Sequence, residues 1–248
     1  MESASDPVDG TDGTDGTDGI DGTGGAGGLD GAAFGTGPAR KALRRERLLT
    51  TATDLFTTRG YVGTSIERIC ATAHVSIRAF YQEFEGREAL LIALHNQVAR
   101  AGMEATLAAL DGPGIDAADT RTRVTAMVRA YVGAVTADLA ATQVAFVEVI
   151  GVNRAVEDHR VVWRSLWSDF LTGEADRAVG RGEAVPRDYT LAMVALIGAI
   201  NELIAHWARS GGAVPREVVA DELIQHVLAT IGHPTGPGDG AVRADEGA

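Results

Sequence analysis

Four side chains between residues 77 and 82 have the chemistry to contact double-stranded DNA. They are Ile77, Arg78, Tyr81 and Gln82, and their spacing places them on the exposed face of a predicted short helix. An arginine can donate to guanine or to a phosphate, a glutamine can pair with adenine, and a tyrosine hydroxyl can donate to a phosphate. A helix that carries such groups near its N-terminus can enter the major groove.

A second short helix is predicted just before this one. Apolar residues recur with the i, i+3, i+4, i+7 spacing of a one-faced helix through residues 65–73. Thr64 or Ser65 is suited to cap it, and Glu67 follows Thr64 at the spacing of a capping box. Two short helices, here 65–73 and 77–84, joined by a tight turn are typical of helix-turn-helix DNA recognition.

The chain from residue 40 to residue 232 has apolar spacing close to the helical period and no convincing strand pattern. The sequence therefore predicts an all-α protein of about nine helices. Their expected spans are 40–59, 65–73, 77–84, 87–110, 119–136, 138–150, 154–180, 187–209 and 215–231. The helix over 187–209 is apolar around much of its circumference, so we expect it to pack against its own core and against a partner chain.

The formal net charge of −12 argues against a nucleic-acid partner until the charges are located. Residues 1–39 carry eight acidic side chains and no Lys or Arg, whereas residues 40–87 carry nine basic side chains against five acidic ones. Residues 88–231 are again acidic in balance. A compact basic module between acidic regions indicates an anionic partner for that module alone.

Both ends of the chain have the composition of disordered tails. Residues 1–39 contain glycine at every third position from 10 to 31, and residues 232–248 are rich in Pro and Gly. The acidic first tail ends directly at the basic start of helix 1. Two hypotheses follow for it: it competes with DNA at low salt, or it only aids solubility.

Several other functional classes find no support in the residue pattern. One cysteine, Cys70, excludes an internal disulfide and a Cys-based zinc site, and its spacing favours an inert core thiol. Glu202 and His206 lie at i, i+4 but lack a third metal ligand, which favours a surface or interface pair.

No nucleophile–base set or Gly-rich phosphate loop is found, so we expect neither an enzyme nor a bound cofactor. No apolar run approaches a membrane span and no signal segment is visible, so we expect a cytoplasmic protein.

The pattern is continuous from Arg45 to Leu90 and resembles the DNA-binding domain of TetR-family transcriptional regulators. The residues that carry the resemblance include Arg59-Gly60-Tyr61, Gly63-Thr64-Ser65-Ile66, Ala73-His74-Val75-Ser76, Phe80-Tyr81 and Arg87-Glu88-Ala89-Leu90. The resemblance implies a helix-turn-helix domain over 40–87 and a ligand-binding and dimerisation domain over 88–231. It also implies a homodimer through the last two helices, about 187–209 and 215–231, and a ligand that moves the helix joining the domains.

The resemblance also assigns individual roles. It places Thr64 and Tyr81 at phosphates, Ser76 at the cap of the recognition helix and Arg87 at the start of helix 4. Two positions depart from the family: His74 stands where a turn glycine with positive φ is usual, and Ile77 stands where a polar residue is common. The candidate DNA contacts are Arg44, Thr64, Ser65, Ser76, Ile77, Arg78, Ala79, Tyr81, Gln82 and Arg87.

The C-terminal domain contains aromatic and polar residues that are candidates for a ligand cavity. They are Tyr131, Phe146, Glu148, Trp163, Trp167, Phe170 and Asn201, with Trp207 as a further aromatic candidate. An aromatic stripe of this kind is found both in plain cores and in pockets, and a pocket built from it would take a small, largely apolar ligand.

The leading hypothesis is therefore a ligand-responsive transcriptional regulator, a repressor that binds a palindromic operator as a homodimer. The alternative is a helical small-molecule-binding or scaffolding protein without DNA activity.

Overall fold

Within residues 37–232, which the computed structural model describes, the chain forms nine α-helices and no strand. The helices are α1 Gly37–Arg59, α2 Ile66–Ala73, α3 Ile77–Tyr81, α4 Arg87–Leu110, α5 Thr120–Val135, α6 Leu139–Gln143, α7 Arg154–Gly180, α8 Thr190–Arg209 and α9 Arg216–Ile231. A 3₁₀ turn, Ile115–Ala117, precedes α5. The all-α prediction is confirmed. The tails lie outside the described residues, except that residues 37–39 already belong to α1 and Gly232 follows α9.

Polar side chains define where several helices begin. Ser65 and Ser76 accept the N–H groups of Arg68 and Ala79 and so cap α2 and α3. Of the two predicted caps, Ser65 is the residue that caps α2, and Thr64 is completely buried. The capping box predicted from Thr64 is therefore wrong. The prediction that α3 continues to residue 84 is also wrong, since the helix ends at Tyr81.

The helix predicted over 138–150 consists of two different parts. After the short α6, residues Val144–Glu148 form a π-helix, called the π segment below. A π-helix is rare and occurs mostly as a single turn within or next to an α-helix. No periodicity argument on the sequence distinguishes it from an α-helix.

Two apolar cores lie on either side of α4. The first core is built mainly by α1–α4 around Leu48, Phe56 and Phe80, all with 0% exposure. The second core is built by α5, α7, α8 and α9. Val144 of the π segment and Val149 just after it also belong to the first core, although they lie fifty or more residues after Leu94, its last residue from α4.

Helix α8 corrects one expectation from the sequence. It is long and apolar enough to cross a membrane by length and composition, although 39% of its apolar window is buried inside the fold. Leu191 and Val194 in its first turns are 82% and 59% exposed. A core helix that keeps one apolar face for a partner chain passes the same test, so the finding is weak evidence for a membrane.

His74 is the one non-glycine residue with positive φ among residues 37–232. It ends α2 with φ 53° and ψ 44°, and the N–H of Val75 then donates to Cys70 O at 3.0 Å. This turn sets the angle between α2 and α3. The left-handed conformation expected at this position is confirmed, and histidine tolerates it better than β-branched residues do.

We predict that His74→Val lowers the free energy of unfolding by about 1–2 kcal/mol, because a β-branched side chain is strained in the left-handed region. His74→Asn is the matched control and should stay within about 0.5 kcal/mol of the wild type. Urea denaturation followed by circular dichroism measures both. Equal stability of the valine and asparagine variants would contradict the assigned turn geometry.

Candidate DNA-binding surface and ligand cavity

The recognition surface lies on α3 and its two flanking residues. Arg78 and Gln82 are exposed, Tyr81 is 55% exposed and Ile77 is 46% exposed, whereas Phe80 is buried against the first core. The Tyr81 ring packs edge-on against Phe80 with centroids 5.5 Å apart, which fixes the position of its hydroxyl. These exposed side chains share one face, and α3 is short enough to enter a major groove.

Two further candidates, Ser65 and Ser76, are exposed residues that cap helices. A third, Ala79, is partly buried in the packing of α3. Ser65 and Ser76 are exposed, but the hydroxyl of each already accepts a backbone N–H of its own helix. A serine hydroxyl in this state can still donate its proton to a phosphate. Ala79 is half-buried on α3.

Thr64 cannot contact a phosphate in this structure. Its side chain has 0% exposure and its hydroxyl donates to Gly60 O at 2.9 Å. Its backbone N–H is also used, since it donates to Tyr61 O. The role implied by the family resemblance is therefore wrong for Thr64, which closes the turn between α1 and α2.

Two arginines predicted as DNA contacts are held inside the domain. Arg44 donates to the carboxylate of Glu83, whose side chain is only 1% exposed. Arg87 donates to the backbone oxygens of Tyr61 and Thr64, and its guanidinium lies 4.1 Å from the centre of the Tyr61 ring. These contacts give both arginines a role in positioning the helices.

Two more arginines serve the same purpose, and the sequence analysis gave them no role. Arg45 donates to Glu83 O at 3.1 Å and lies over the Phe84 ring, and Arg47 donates to Ala73 O at 2.9 Å. Each satisfies a carbonyl oxygen at or after a helix C-terminus, where cations are favourable. The remaining basic side chains of the module are exposed and make no hydrogen bond or ion pair with a described residue: Arg40, Lys41, Arg59, Arg68 and Arg78.

A cavity with a volume of about 750 Å³ lies in the C-terminal part of the fold. Residues from α4, α5, the π segment, α7, α8 and α9 line it, and most of its wall is apolar. Five of the predicted ligand residues line this cavity: Tyr131, Phe146, Trp163, Trp167 and Asn201. The volume lies in the range of small-molecule sites.

Two predicted ligand residues do not line the cavity. Phe170 packs edge-on behind Trp167, with ring centroids 5.7 Å apart. Glu148 points toward the other domain, where its carboxylate accepts the backbone N–H of Tyr61 at 2.8 Å. Trp207, the further aromatic candidate, is also structural, since its indole N–H donates to Val214 O.

The cavity contains a polar group that has no partner among the described residues. The Tyr131 hydroxyl makes no hydrogen bond there, while its ring packs edge-on against Trp167 at 5.1 Å. Burial raises the pKa of Tyr131, so the hydroxyl stays neutral and can donate or accept. It is suited to orient one polar group of a ligand that is otherwise apolar.

Other polar residues of the wall were not predicted from the sequence. His95 on α4 lines the cavity, and its ring nitrogen lies 3.2 Å from that of His159 on α7. Burial and the neighbouring His159 and Arg160 lower the pKa of His95 to about 4, so the ring is neutral near pH 7. Arg160 and Arg164 also line the cavity and share the carboxylate of Glu157.

No group of three or more metal-ligating side chains occurs in the part of the chain that the structure describes. Glu202, which was considered with His206 as a possible metal pair, instead pairs with Arg209.

Two family models match this chain. The model of bacterial regulatory proteins of the tetR family matches residues 48–94, and the tetracyclin repressor-like C-terminal domain matches residues 117–231. Together the matched residues make up well over half of the sequence. The fold and the exposed helix-turn-helix define a DNA-binding transcriptional regulator, as predicted. The chain belongs to the TetR family.

Solved structures of the same fold are similar along most of their length. FadR of Bacillus halodurans, a fatty acid degradation regulator, has a TM-score of 0.66 at 16% identity, over 77% of this chain and 97% of that one. FadR of Bacillus subtilis in complex with stearoyl-CoA has a TM-score of 0.64 at 15% identity, over 75% and 99%. AibR in complex with isovaleryl coenzyme A and operator DNA has a TM-score of 0.57 at 24% identity, over 73% and 96%. A search of curated proteins found no match.

We expect substitution of an exposed arginine and of an internally paired arginine to have different effects. We expect Arg78→Ala to weaken DNA binding and lower the salt slope by about one, with stability unchanged within about 0.5 kcal/mol. Arg44→Ala leaves the buried Glu83 carboxylate without its partner and should lower the free energy of unfolding by about 1–3 kcal/mol, a range reduced because Arg44 is partly exposed. Urea denaturation and DNA titrations at several salt concentrations measure both quantities. A lower salt slope at unchanged stability for Arg44→Ala would show that this residue does contact DNA.

Proposed function

We propose that the chain is a homodimeric repressor that binds a palindromic operator and releases it when a small ligand occupies the cavity. One observation carries the proposal: α3 exposes Arg78, Tyr81 and Gln82 on one face, while a cavity of about 750 Å³ lies beside the helix that joins the two domains.

The DNA contacts proposed for each subunit are the exposed members of the predicted set. Gln82 is proposed to contact a base edge, and Arg78 a phosphate or a neighbouring guanine. Tyr81, Ser65 and Ser76 are proposed to contact phosphates. Arg40, Lys41, Arg59 and Arg68 add exposed positive charge that has no partner within the described residues. Ile77 supplies apolar contact where many relatives have a polar group, for example with a thymine methyl.

The dimer is proposed to form through α8. Its outward face runs through Leu191, Val194, Ala195 and Gly198, a stripe of exposed apolar and small residues that permits close approach of a second helix. Val194 and Gly198 also line the cavity, so the proposed interface borders the ligand site. The second half of the predicted interface, α9, has a mostly polar outward face with one large apolar residue, Val218, 54% exposed. The apolar surface thus supports α8 as the centre of the interface and α9 as its rim.

The ligand is proposed to be a small, mostly apolar molecule with a polar group at Tyr131. The apolar wall and the unpartnered hydroxyl support this class. Two neighbours of the same fold were solved with acyl-CoA molecules, so acyl thioesters are the first ligands to test. Arg160 and Arg164 at the same cavity are suited to an anionic headgroup.

A helical ligand-binding or scaffolding protein without DNA activity is the competing function. The five exposed basic side chains that have no partner among residues 37–232 count against it, because DNA binding is the function that such a cluster of positive charge would serve. The proposal places the protein in the cytoplasm, where a regulator meets its operator.

We predict that a DNase I footprint on the region upstream of the protein's own gene shows a two-fold-symmetric protected site. Its half-sites should lie about one helical turn, or a multiple of it, apart, because the two recognition helices are related by the dimer axis. Protection should disappear as salt rises. Absence of any specific protection, with ligand-free protein at low salt, would favour the scaffolding alternative.

The dimer interface is tested by Leu191→Glu. A charge on this 82% exposed residue should leave a single chain of 25.8 kDa in sedimentation velocity, whereas we expect the wild type to sediment as a dimer. Leu107→Glu, at a 49% exposed leucine of α4, is the matched control and should stay dimeric. A dimeric Leu191→Glu protein would rule out α8 as the centre, and Val218→Glu then tests α9.

A further inference from the structure

Glu148 makes a direct contact between the two domains. It ends the π segment, and its carboxylate accepts the Tyr61 backbone N–H at 2.8 Å. The contact joins residues 87 positions apart in sequence. Gly60 precedes the contacted amide and has a φ of +74°, a left-handed conformation that favours glycine.

The π segment faces both functional parts of the protein. Ala145 and Phe146 line the cavity, and Ile150 lines it just beyond the segment. Val144 and Val149, with 0% and 1% exposure, are buried in the core of the DNA-binding domain. A single helical turn therefore separates the ligand from that core.

The turn that Glu148 contacts determines where α2 begins. Tyr61 O accepts from Arg87, and the same guanidinium donates to Thr64 O. The Thr64 hydroxyl donates back to Gly60 O at 2.9 Å. Ser65, the next residue, caps α2. A displacement at the Tyr61 amide is thus transmitted through three hydrogen bonds to the first helix of the helix-turn-helix.

We propose that Glu148 is the positioning residue through which an occupied cavity acts on the DNA-binding domain. The inference rests on the proposed function, since it concerns how the same cavity regulates DNA binding. A ligand that presses on Phe146 shifts the π segment, and Glu148 passes the shift to the Tyr61 amide. The route runs directly from the π segment to the turn between α1 and α2 and does not need α4 to move first.

The coupling requires that the ligand bind one arrangement of the π segment more tightly than the other. In the arrangement described here, the Glu148–Tyr61 hydrogen bond holds the turn between α1 and α2. With the cavity filled, we expect this bond to lengthen or break, which frees the turn and shifts α2 and α3. Glu148 then carries the interaction between the sites without touching either ligand or DNA.

The test fills the cavity covalently, so that no natural ligand has to be known. Ser168 lines the cavity, and the native Cys70 is buried, so Ser168→Cys gives one reactive thiol. The chain is labelled there with N-octylmaleimide, and a small S-methyl adduct serves as the matched control. Hydrogen exchange of the Tyr61 amide is then followed by mass spectrometry, and operator affinity is measured on the same samples.

We expect the octyl adduct to accelerate exchange of the Tyr61 amide about tenfold over the S-methyl control and to weaken operator binding by a similar factor. In Glu148→Ala, the amide should exchange rapidly with either adduct, and the two adducts should differ less than about threefold in operator affinity. Glu148→Gln should keep most of the response, because its amide oxygen can still accept the N–H.

A full response in Glu148→Ala, or an unchanged Tyr61 amide in the octyl adduct, would overturn the proposal. If Glu148→Ala does not fold, the comparison of the two adducts with Glu148 intact decides it. The exchange measurement needs no DNA, so it remains decisive even if the protein binds no operator, a result that would overturn the proposed function alone.

Discussion

Val144, Val149 and Val156 bury their side chains in the core that α1–α4 build around Leu48 and Phe56. Each buried valine contributes about 1.5–3 kcal/mol, so the three together approach the net stability of a small domain. The DNA-binding domain is therefore not closed by its own helices. Its position and stability depend on valines whose chain neighbours Ala145, Phe146 and Ile150 line the ligand cavity.

Positive charge in the DNA-binding module has two separate uses. Four of its nine basic residues, among them Arg44 and Arg87, hold helix ends together by donating to carbonyl oxygens and a buried carboxylate. The exposed remainder faces solvent and is free for phosphates. The net charge of −12 hides this arrangement, because the acidic residues lie mainly in residues 1–39 and in the C-terminal half. The net charge of the module also overstates the positive charge available to DNA, because it includes arginines that pair with other groups of the domain.

The sequence predicted the helix bounds well wherever a local signal existed. Gly60 ends α1, Ser76 begins α3, and the left-handed turn at His74 follows from the glycine usually found there. The sequence-based predictions were wrong where the local structure depends on packing against residues that are distant in sequence. Thr64 and Ser65 are both good caps, and only the packing of the turn decides which hydroxyl is buried.

Glu148 shows the same limit for the candidate site. Its position among apolar residues suggested a ligand contact, but its partner is a backbone amide 87 residues earlier in the chain. Five of the seven cavity candidates were placed correctly because aromatic residues on inward faces tend to surround the same interior space. His95 was missed because a lone histidine on a long helix has no spacing signal. The π segment was missed because a change of helix type leaves the apolar pattern almost unaltered.

Thermodynamic linkage gives the most direct test of whether ligand binding in the cavity is coupled to DNA binding. Isothermal titration of an acyl-CoA, the ligand class proposed above, is carried out on the free protein and on the protein saturated with operator DNA. If the two sites are coupled, the ligand binds more weakly to the operator complex than to the free protein. The factor should equal the one by which the ligand weakens operator binding. Equal ligand affinity in the two states would contradict it, because sites that do not share a conformational equilibrium cannot influence each other.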